Sequence, residues 1–358
     1  MAAYKDRIKE DLDRWIGAGL VGADKRDAIL ATIPEVRRLD AAAALAWVGA
    51  VLLGVAVVAF VAANWDITPK LVRFAILLTA FVSLAGIAAW AAHRERALAS
   101  NILLMVAALV FAAAVGLTGQ IFDIAADPRA ACYASGLVAF ALALAGRSSG
   151  AAIVGLVLVA LGDLSEREWF SGFNADAPWT LFAAPLGAYL ALRWSSAPLA
   201  HVSALAILYC FGWFAAHTHS RGGALLFLSV GMGAMAAGAR WMHVHERPLT
   251  GVFYGWFAWG ALVLFAAAGF LPWSDGSRAN TGAILHRLAW LLVSGGLIAL
   301  GRYDRHALVT AVGVLGIIGA IFAILNDMGL DLLAAAGVFL ACAIAALLAG
   351  LALRRKAR

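Results

Sequence analysis

The stretch LVRFAILLTAFVSLAGIAAWAAHRERALASNILLMVAALVFAAAVGLTGQIF, residues 71–122, decides the fold. Two long apolar runs flank the polar break His93-Arg94-Glu95-Arg96. At about 1.5 Å per residue, each run is long enough as an α-helix to cross a hydrocarbon core about 30 Å thick. Only a helix or a closed barrel can satisfy its backbone in lipid. The runs show no strict alternation of the kind a barrel strand requires, so the helix is the form expected. The charged break then reads as the turn of a helical hairpin.

Outward from this stretch the pattern repeats in both directions. Apolar segments fall near residues 41–63, 71–92, 101–122, 131–146, 149–163, 178–193, 199–216, 222–240, 249–271, 284–300, 307–325 and 329–353. The expected fold class is therefore all-α, a polytopic transmembrane bundle of about twelve spans. The pair at 149–163 and 178–193 is short for full crossings, and a re-entrant reading of it would leave ten. Composition agrees: 64% of residues are hydrophobic and 13% charged, with a mean hydropathy of +0.89. A water-soluble fold could not bury that much apolar surface.

Charge placement orients the bundle. With the N-terminus inside, the cytoplasmic segments and tails hold twenty of the 27 Lys and Arg residues, which favours N-in, C-in topology. The inner turns carry Arg94, Arg96, Arg147, Arg193, Arg240, Arg247, Arg302 and Arg305. Trp65, Trp90, Trp169, Trp179, Trp194, Trp213, Trp241 and Trp273 sit at expected span ends, where an indole prefers the headgroup level. Three domains follow: a cytoplasmic helical hairpin over 1–40, a transmembrane body over 41–353 and a basic tail over 354–358. The first forty residues show no cleavable leader pattern. In the hairpin, Ile8, Leu12, Trp15 and Ile16 share one face, Gly17 and Gly19 end the first helix, and Asp24 is the expected N-cap of a second that stops before Pro34.

Polar residues gather at the outer ends of the first three spans. Asn64, Trp65 and Asp66 close the first, Lys70 and Arg73 open the second, and Gln120, Asp123, Asp127 and Arg129 lie at or after the end of the third. A carboxamide at membrane depth must find hydrogen bonds, so Gln120 should face protein or a wet cavity. The alternative is interfacial capping and loop anchoring. Val61 to Pro69 with Arg73, and Gly119-Gln120-Ile121-Phe122 followed by Asp127, resemble the signatures of a bacterial family of predicted membrane proteins, domain of unknown function 2157. The stretch Asp13 to Val21 is similar to that family's short cytoplasmic start, and the likeness covers roughly the first 145 residues. It implies a bacterial inner-membrane protein and brings no substrate, reaction or cofactor. Asn64, Trp65, Asp66, Arg73, Gln120 and Asp127 are the candidate cluster it singles out.

Other motifs carry less. Gly146-Arg147-Ser148-Ser149-Gly150 fits G-x-S-x-G but joins two membrane helices instead of a strand and a helix. The pairs His217/His219 and His243/His245 point their rings apart on a helix, and no ligand shell completes them, so no metal is expected. The cysteines Cys132, Cys210 and Cys342 lie in apolar runs and read as small hydrophobes. Arg287, within a turn of the outer boundary, should snorkel, with an anion site alongside His286 as the alternative. Gly251 and Gly255, and Gly313, Gly316 and Gly319, mark close helix packing. Arg38-Leu39-Asp40 through Asn64-Trp65-Asp66 echoes Arg302-Tyr303-Asp304 through Asn326-Asp327, as parallel repeats would.

No nucleophile, base and oxyanion donor converge in the sequence, and no cofactor is expected. Two functions follow as expectations. One is a transporter or channel-like protein for a small solute entering at the outer polar cluster. The other is a membrane scaffold, sensor or envelope-maintenance protein whose residues 1–40 contact a cytoplasmic partner. The surrounding partner is the lipid bilayer; small-residue faces permit a homo-oligomer, and nucleic acid is not expected.

Overall fold

The computed structural model describes residues 2–31, 69–121, 127–165, 178–217, 222–245, 247–270 and 281–327, with isolated helical positions at 48, 49, 52, 56, 59 and 337. Apart from those positions, the expected spans at 41–63 and 329–353 and the basic tail lie outside the described residues. Among the described residues there is no strand. The chain divides into two units, Met1–Val55 and Ala56–Arg358.

In the first unit, α1 (Ala2–Gly17) ends as its glycines dictate. Gly19 takes a left-handed conformation, φ +71°, and Leu20 N donates to Trp15 O at 2.9 Å, the bond that closes a glycine C-cap. Asp24 does not cap the second helix. A 3₁₀ turn over Ala23–Lys25 intervenes, and α2 (Arg26–Ala31) starts after it. Leu12 is fully buried, and Arg26 Nε donates to Asp13 Oδ1 at 2.8 Å, tying the two helices. The guanidinium holds the Asp13 carboxyl below the usual carboxylate range.

The second unit contains α3 (Lys70–His93), α4 (Ala97–Ile121), α5 (Pro128–Gly146), α6 (Ser149–Leu164), α7 (Thr180–Arg193), α8 (Ala197–His217), α9 (Gly222–Val244), α10 (Thr250–Ala268), α11 (Thr281–Tyr303) and α12 (Ala307–Asp327). Eight of these are long and apolar enough to cross a membrane. The other two, α6 and α7, are the short pair expected from the sequence, with 16 and 14 residues. Pro185 sits inside α7 and removes the backbone donor that Leu181 O would otherwise receive.

These helices form five consecutive antiparallel hairpins, α3–α4, α5–α6, α7–α8, α9–α10 and α11–α12. The second member of each hairpin packs on the second member of the next: α4 on α6, α6 on α8, α8 on α10, α10 on α12. Each first member from α5 onward packs on the second helix that precedes it. The result is a row of second helices backed by a row of first helices. Burial follows the rows in three hairpins: 56% of the α10 span is buried against 33% of α9, 39% of α12 against 22% of α11, and 33% of α4 against 11% of α3.

The five hairpin turns share one closing bond. A residue just past each first helix donates its N–H to the carbonyl five positions back: Arg96 to Ala91, Ser148 to Ala143, Ser196 to Ala191, Arg247 to Met242 and His306 to Gly301. The preceding residue is left-handed at Glu95, Arg147, Ser195 and Arg305, with φ between 49° and 58°. This is the geometry of a Schellman cap, built here without glycine. All eight arginines assigned to inner turns lie in these turns or in the helix turns next to them.

Glycines set the closest approaches. A Cβ at Gly313 would meet Ser294 O at 2.6 Å and Ile298 N at 2.8 Å, so α12 lies with its backbone against that of α11. A Cβ at Gly251 would press on His243 and His306, and one at Gly255 on Leu308. Both glycine motifs are therefore packing surfaces, as their spacing implied.

Candidate functional site

The end of the bundle opposite the shared turns carries the densest polar network among the described residues. Asp127 caps α5, accepting from Arg129 N at 2.9 Å, with Pro128 placed where its missing N–H costs nothing. One turn on, Arg129 Nε donates to the Tyr133 hydroxyl at 2.9 Å, and that hydroxyl donates to Asp163 Oδ1 at 2.6 Å. Asp163, in the last turn of α6, also accepts from Trp179 N at 2.9 Å, Thr180 N at 2.9 Å and Thr180 Oγ1 at 2.5 Å. One carboxylate thus caps the start of α7 across the connection that follows α6. Thr180 is fully buried, so these bonds replace water it cannot reach.

This network also fixes the reach of α6. Its Asp163 meets Tyr133, in the second turn of α5, so α6 runs nearly the full length of its partner.

Of the candidate cluster, Asn64, Trp65 and Asp66 lie outside the described residues. Arg73 is half-buried in the first turn of α3, Gln120 is in the last turn of α4, and Asp127 caps α5. These three belong to helix ends on the same side of the bundle as Asp163. Tyr133, Asp163 and Thr180 were missed by sequence reasoning. The available signal was an acid, Asp163, closing one apolar run and a threonine, Thr180, opening the next.

At the turn end, Arg240 of α9 grips Asp304 through Nε at 2.6 Å and Nη2 at 2.8 Å, and the Tyr254 hydroxyl donates to the same carboxylate at 3.2 Å. The Asp304 side chain is 2% exposed, and the bonds from Arg240 hold it below the usual carboxylate range. Beside it, His306 Nε2 lies 3.0 Å from Gly251 O and its Nδ1 3.4 Å from Val309 N, an arrangement that suits the neutral ring donating through Nε2. Burial pushes its pKa down. His243 packs edge-on to His306, centroids 5.6 Å apart, while His245 turns back to Trp241 O. The two rings of that H-x-H pair do point apart.

Arg287 does not snorkel. It is 5% exposed, pairs with Asp327 of α12 at 2.9 Å and lies 4.6 Å from the Phe270 ring centroid. Ser148 of the G-x-S-x-G segment is the N-cap of α6, donating to Asn101 Oδ1 at 2.7 Å and accepting from Ala151 N. Trp213 differs from three other tryptophans placed at span ends: it is 7% exposed and stacks on His217, whereas Trp90, Trp179 and Trp241 are open to the surroundings. Among the described residues no three metal-ligating side chains converge.

Of the cavities that indent the body, two lie along the backing row. The larger, about 790 Å³, lies between α7 and α9 over α8 and α10, and among its walls are Leu181, Pro185, Phe211, Phe227, Met235 and Phe257. The second, about 580 Å³, lies between α5 and α7 with Val159 of α6 among its lining. Both are apolar and lie between successive members of the backing row.

Such an array of apolar hairpins defines a multi-pass α-helical membrane protein. Residues 13–152 match the family described as Predicted membrane protein (DUF2157), a match that runs from the end of α1 into the first turn of α6. The sequence resemblance pointed to the same family. No curated protein and no solved structure matches the chain.

Proposed function

We propose that this chain is a bacterial inner-membrane protein of about twelve spans, with both termini in the cytoplasm, that takes up an apolar or amphiphilic molecule from the bilayer in the groove between α7 and α9. The observation that carries this reading is the groove itself. Its volume of 790 Å³ is that of a ligand pocket, and its walls offer hydrocarbon and aromatic surface. Along α9 it extends from Phe227 to Met242, roughly 22 Å at the helical rise, so a chain-like occupant fits it best.

The arginine-bearing turns support the orientation, because they gather the inner basic residues at one end. Support for counting α6 and α7 as crossings comes from the reach of Asp163. The small-solute reading has less behind it, since Asp127 and Asp163 both serve as helix caps, Asp163 with four donors. A role for residues 1–40 in contacting a cytoplasmic partner has one observation in its favour: Trp15 and Leu20 are 48% and 75% exposed.

Gly231 and Gly238 line the groove, and a Cβ at Gly238 meets nothing within 4 Å. The test is lipid extraction from protein purified in mild detergent, followed by mass spectrometry. Gly238→Phe, alone and with Gly231→Phe, is expected to lose most of the co-purifying lipid. Gly233→Phe, on the same helix with open space and outside the groove, should not. Equal lipid content in all three would sink the reading.

A further inference from the structure

Exposed aromatic residues on three of the first helices mark one level near the shared turns. Trp90 of α3 and Trp241 of α9 each lie six positions before the residue whose N–H closes the turn, and Tyr189 of α7 lies seven before its own. All three are more than half exposed, as amphipathic rings at the headgroup level are. At about 1.5 Å per residue, the opposite end of the helix lies roughly 30 Å from this belt on α3, at Lys70, and roughly 28 Å from it on α9, at Gly222. Those distances match a hydrocarbon core.

On α7 the distance is about half as long. Its lipid-facing stripe steps from Tyr189 through Leu186 and Phe182 to Trp179, and the two end residues are 61% and 58% exposed. From one aromatic anchor to the other is about 15 Å at the helical rise. The Trp179 end is polar as well, because Asp163 accepts there from Trp179 N and Thr180 N. A stripe this short, anchored at both ends, is met by a bilayer that thins beside it.

We infer that α7 pinches the bilayer and thereby lets phospholipids pass between the leaflets, a scrambling activity. The barrier to that passage is the cost of carrying a charged headgroup through hydrocarbon, and local thinning shortens the path. The groove shared with α9 lies along α7 from Leu181 to Leu192, so the tails have an apolar wall to lie against throughout the crossing. That wall gives a headgroup nothing to be selected by. Phosphatidylethanolamine and phosphatidylglycerol should therefore cross alike.

The inference rests on α7 being a crossing, as proposed above, and its test separates the two. The full chain is reconstituted into vesicles that hold phosphatidylethanolamine or phosphatidylglycerol with a fluorescent acyl chain. Dithionite added outside bleaches the outer leaflet, and the later loss of the remaining signal reports transfer. A soluble fluorophore sealed inside must stay bright, which separates transfer from leakage. Wild type should transfer both lipids at least about tenfold faster than protein-free vesicles, the effect of ~1.4 kcal/mol on a barrier. Trp179→Leu with Tyr189→Leu, which removes both anchors, should slow transfer about fivefold. Phe182→Leu, between them on the same stripe, should not, and all of these variants should melt with wild type because the side chains are exposed.

Transfer no faster than in protein-free vesicles, or equal slowing by Phe182→Leu and by loss of the anchors, overturns the inference. The crossing is read separately, from exposed Ser165 and Ser195 on either side of α7. Ser165→Cys and Ser195→Cys should react with an impermeant maleimide from opposite faces of sealed vesicles, above the background of wild type. Opposite faces without transfer leave the crossing in place and end the scrambling inference. Labelling from one face ends both.

Discussion

Replacing Asp163 by alanine removes one carboxylate and strips four donors of their acceptor. Two of those donors, Trp179 N and Thr180 N, lie at the start of α7, where no intrahelical acceptor exists. Losing a helix cap costs about 0.5–2 kcal/mol. Side-chain hydrogen bonds inside membrane proteins average about 0.6 kcal/mol each, because the unfolded helices also find partners. Those two figures alone give about 2 kcal/mol. Thr180, however, is fully buried, and an orphaned buried donor costs about 1–3 kcal/mol more. The expected loss for Asp163→Ala is therefore about 3 kcal/mol. Asp163→Asn, which keeps one acceptor oxygen, should lose about half as much, and Tyr133→Phe, which removes the two bonds of its hydroxyl, from Arg129 Nε and to Asp163, about 1 kcal/mol.

The assay is the fraction of protein that stays monodisperse after heating in detergent, read as an apparent Tm. At roughly 2 °C per kcal/mol for a long chain, Asp163→Ala should fall by about 6 °C. An Asp163→Ala midpoint within a degree of wild type would show that the network carries no stability. A drop for Tyr133→Phe as large as that for Asp163→Ala would place the energy in the tyrosine, not in the capping of α7.

Three further outcomes follow from the packing and the charges. Gly313→Ala drives a methyl into the backbone of α11 and should destabilise by about 2 kcal/mol, whereas Gly296→Ala, with open space, should be neutral or slightly stabilising in the same melts. Burial lowers the pKa of His306, so its contribution is complete above an unfolded pKa of about 6.5 and is lost as pH falls from there through the lower pKa of the folded state. The groups facing it are Asp304, His243 and Tyr254; the wild-type Tm should drop between pH 7 and 5, and His306→Gln, which keeps an amide donor toward Gly251 O, should flatten that slope. Asp304, held low by Arg240, contributes above about pH 3.9 and loses that contribution only in stronger acid, so a profile unchanged by His306→Gln would mean that another group sets the pH 5–7 drop.

Helix positions were legible because composition decides them. The expected segment 71–92 became α3 over Lys70–His93, and 307–325 became α12 over Ala307–Asp327. Which helix backs which was not legible, since in lipid a helix-facing leucine and a lipid-facing leucine are equally apolar. Only the glycine faces gave neighbours away, and they did so correctly at Gly251 and Gly313. Arg287 was misjudged for a related reason: its partner, Asp327, lies forty positions on, and nothing local distinguishes a paired arginine from one that reaches for the interface. Asp163 escaped notice because three of its four donors lie on the far side of the connection after α6 and the fourth, Tyr133, lies thirty positions earlier on α5. The echo between 38–66 and 302–327 has its first half largely outside the described residues. The repeat that does appear is the hairpin with its shared turn, which leaves little trace in sequence because a Schellman cap built on Glu95, Arg147, Ser195 or Arg305 lacks the usual glycine.

That repeat poses a specificity problem. Apolar hairpins side by side in lipid gain little from the hydrophobic effect, and small-residue faces allow more than one register. Each junction between successive hairpins carries a polar tie that removes the ambiguity. Asn101 of α4 accepts from Ser148 Oγ and Gly150 N at the next turn, joining the first hairpin to the second. Asp163 joins the second to the third through Thr180. Trp256 Nε1 of α10 donates to His201 Nδ1 of α8 at 2.9 Å, joining third and fourth, and Arg240 with Tyr254 grips Asp304 to join fourth and fifth. A slip of one turn at any junction would leave at least one of these groups without its partner, a cost that apolar packing in lipid does little to offset. The polar residues of the membrane body thus act first as register marks between repeats. The grooves between backing helices are the surface that this fixed spacing leaves open to lipid.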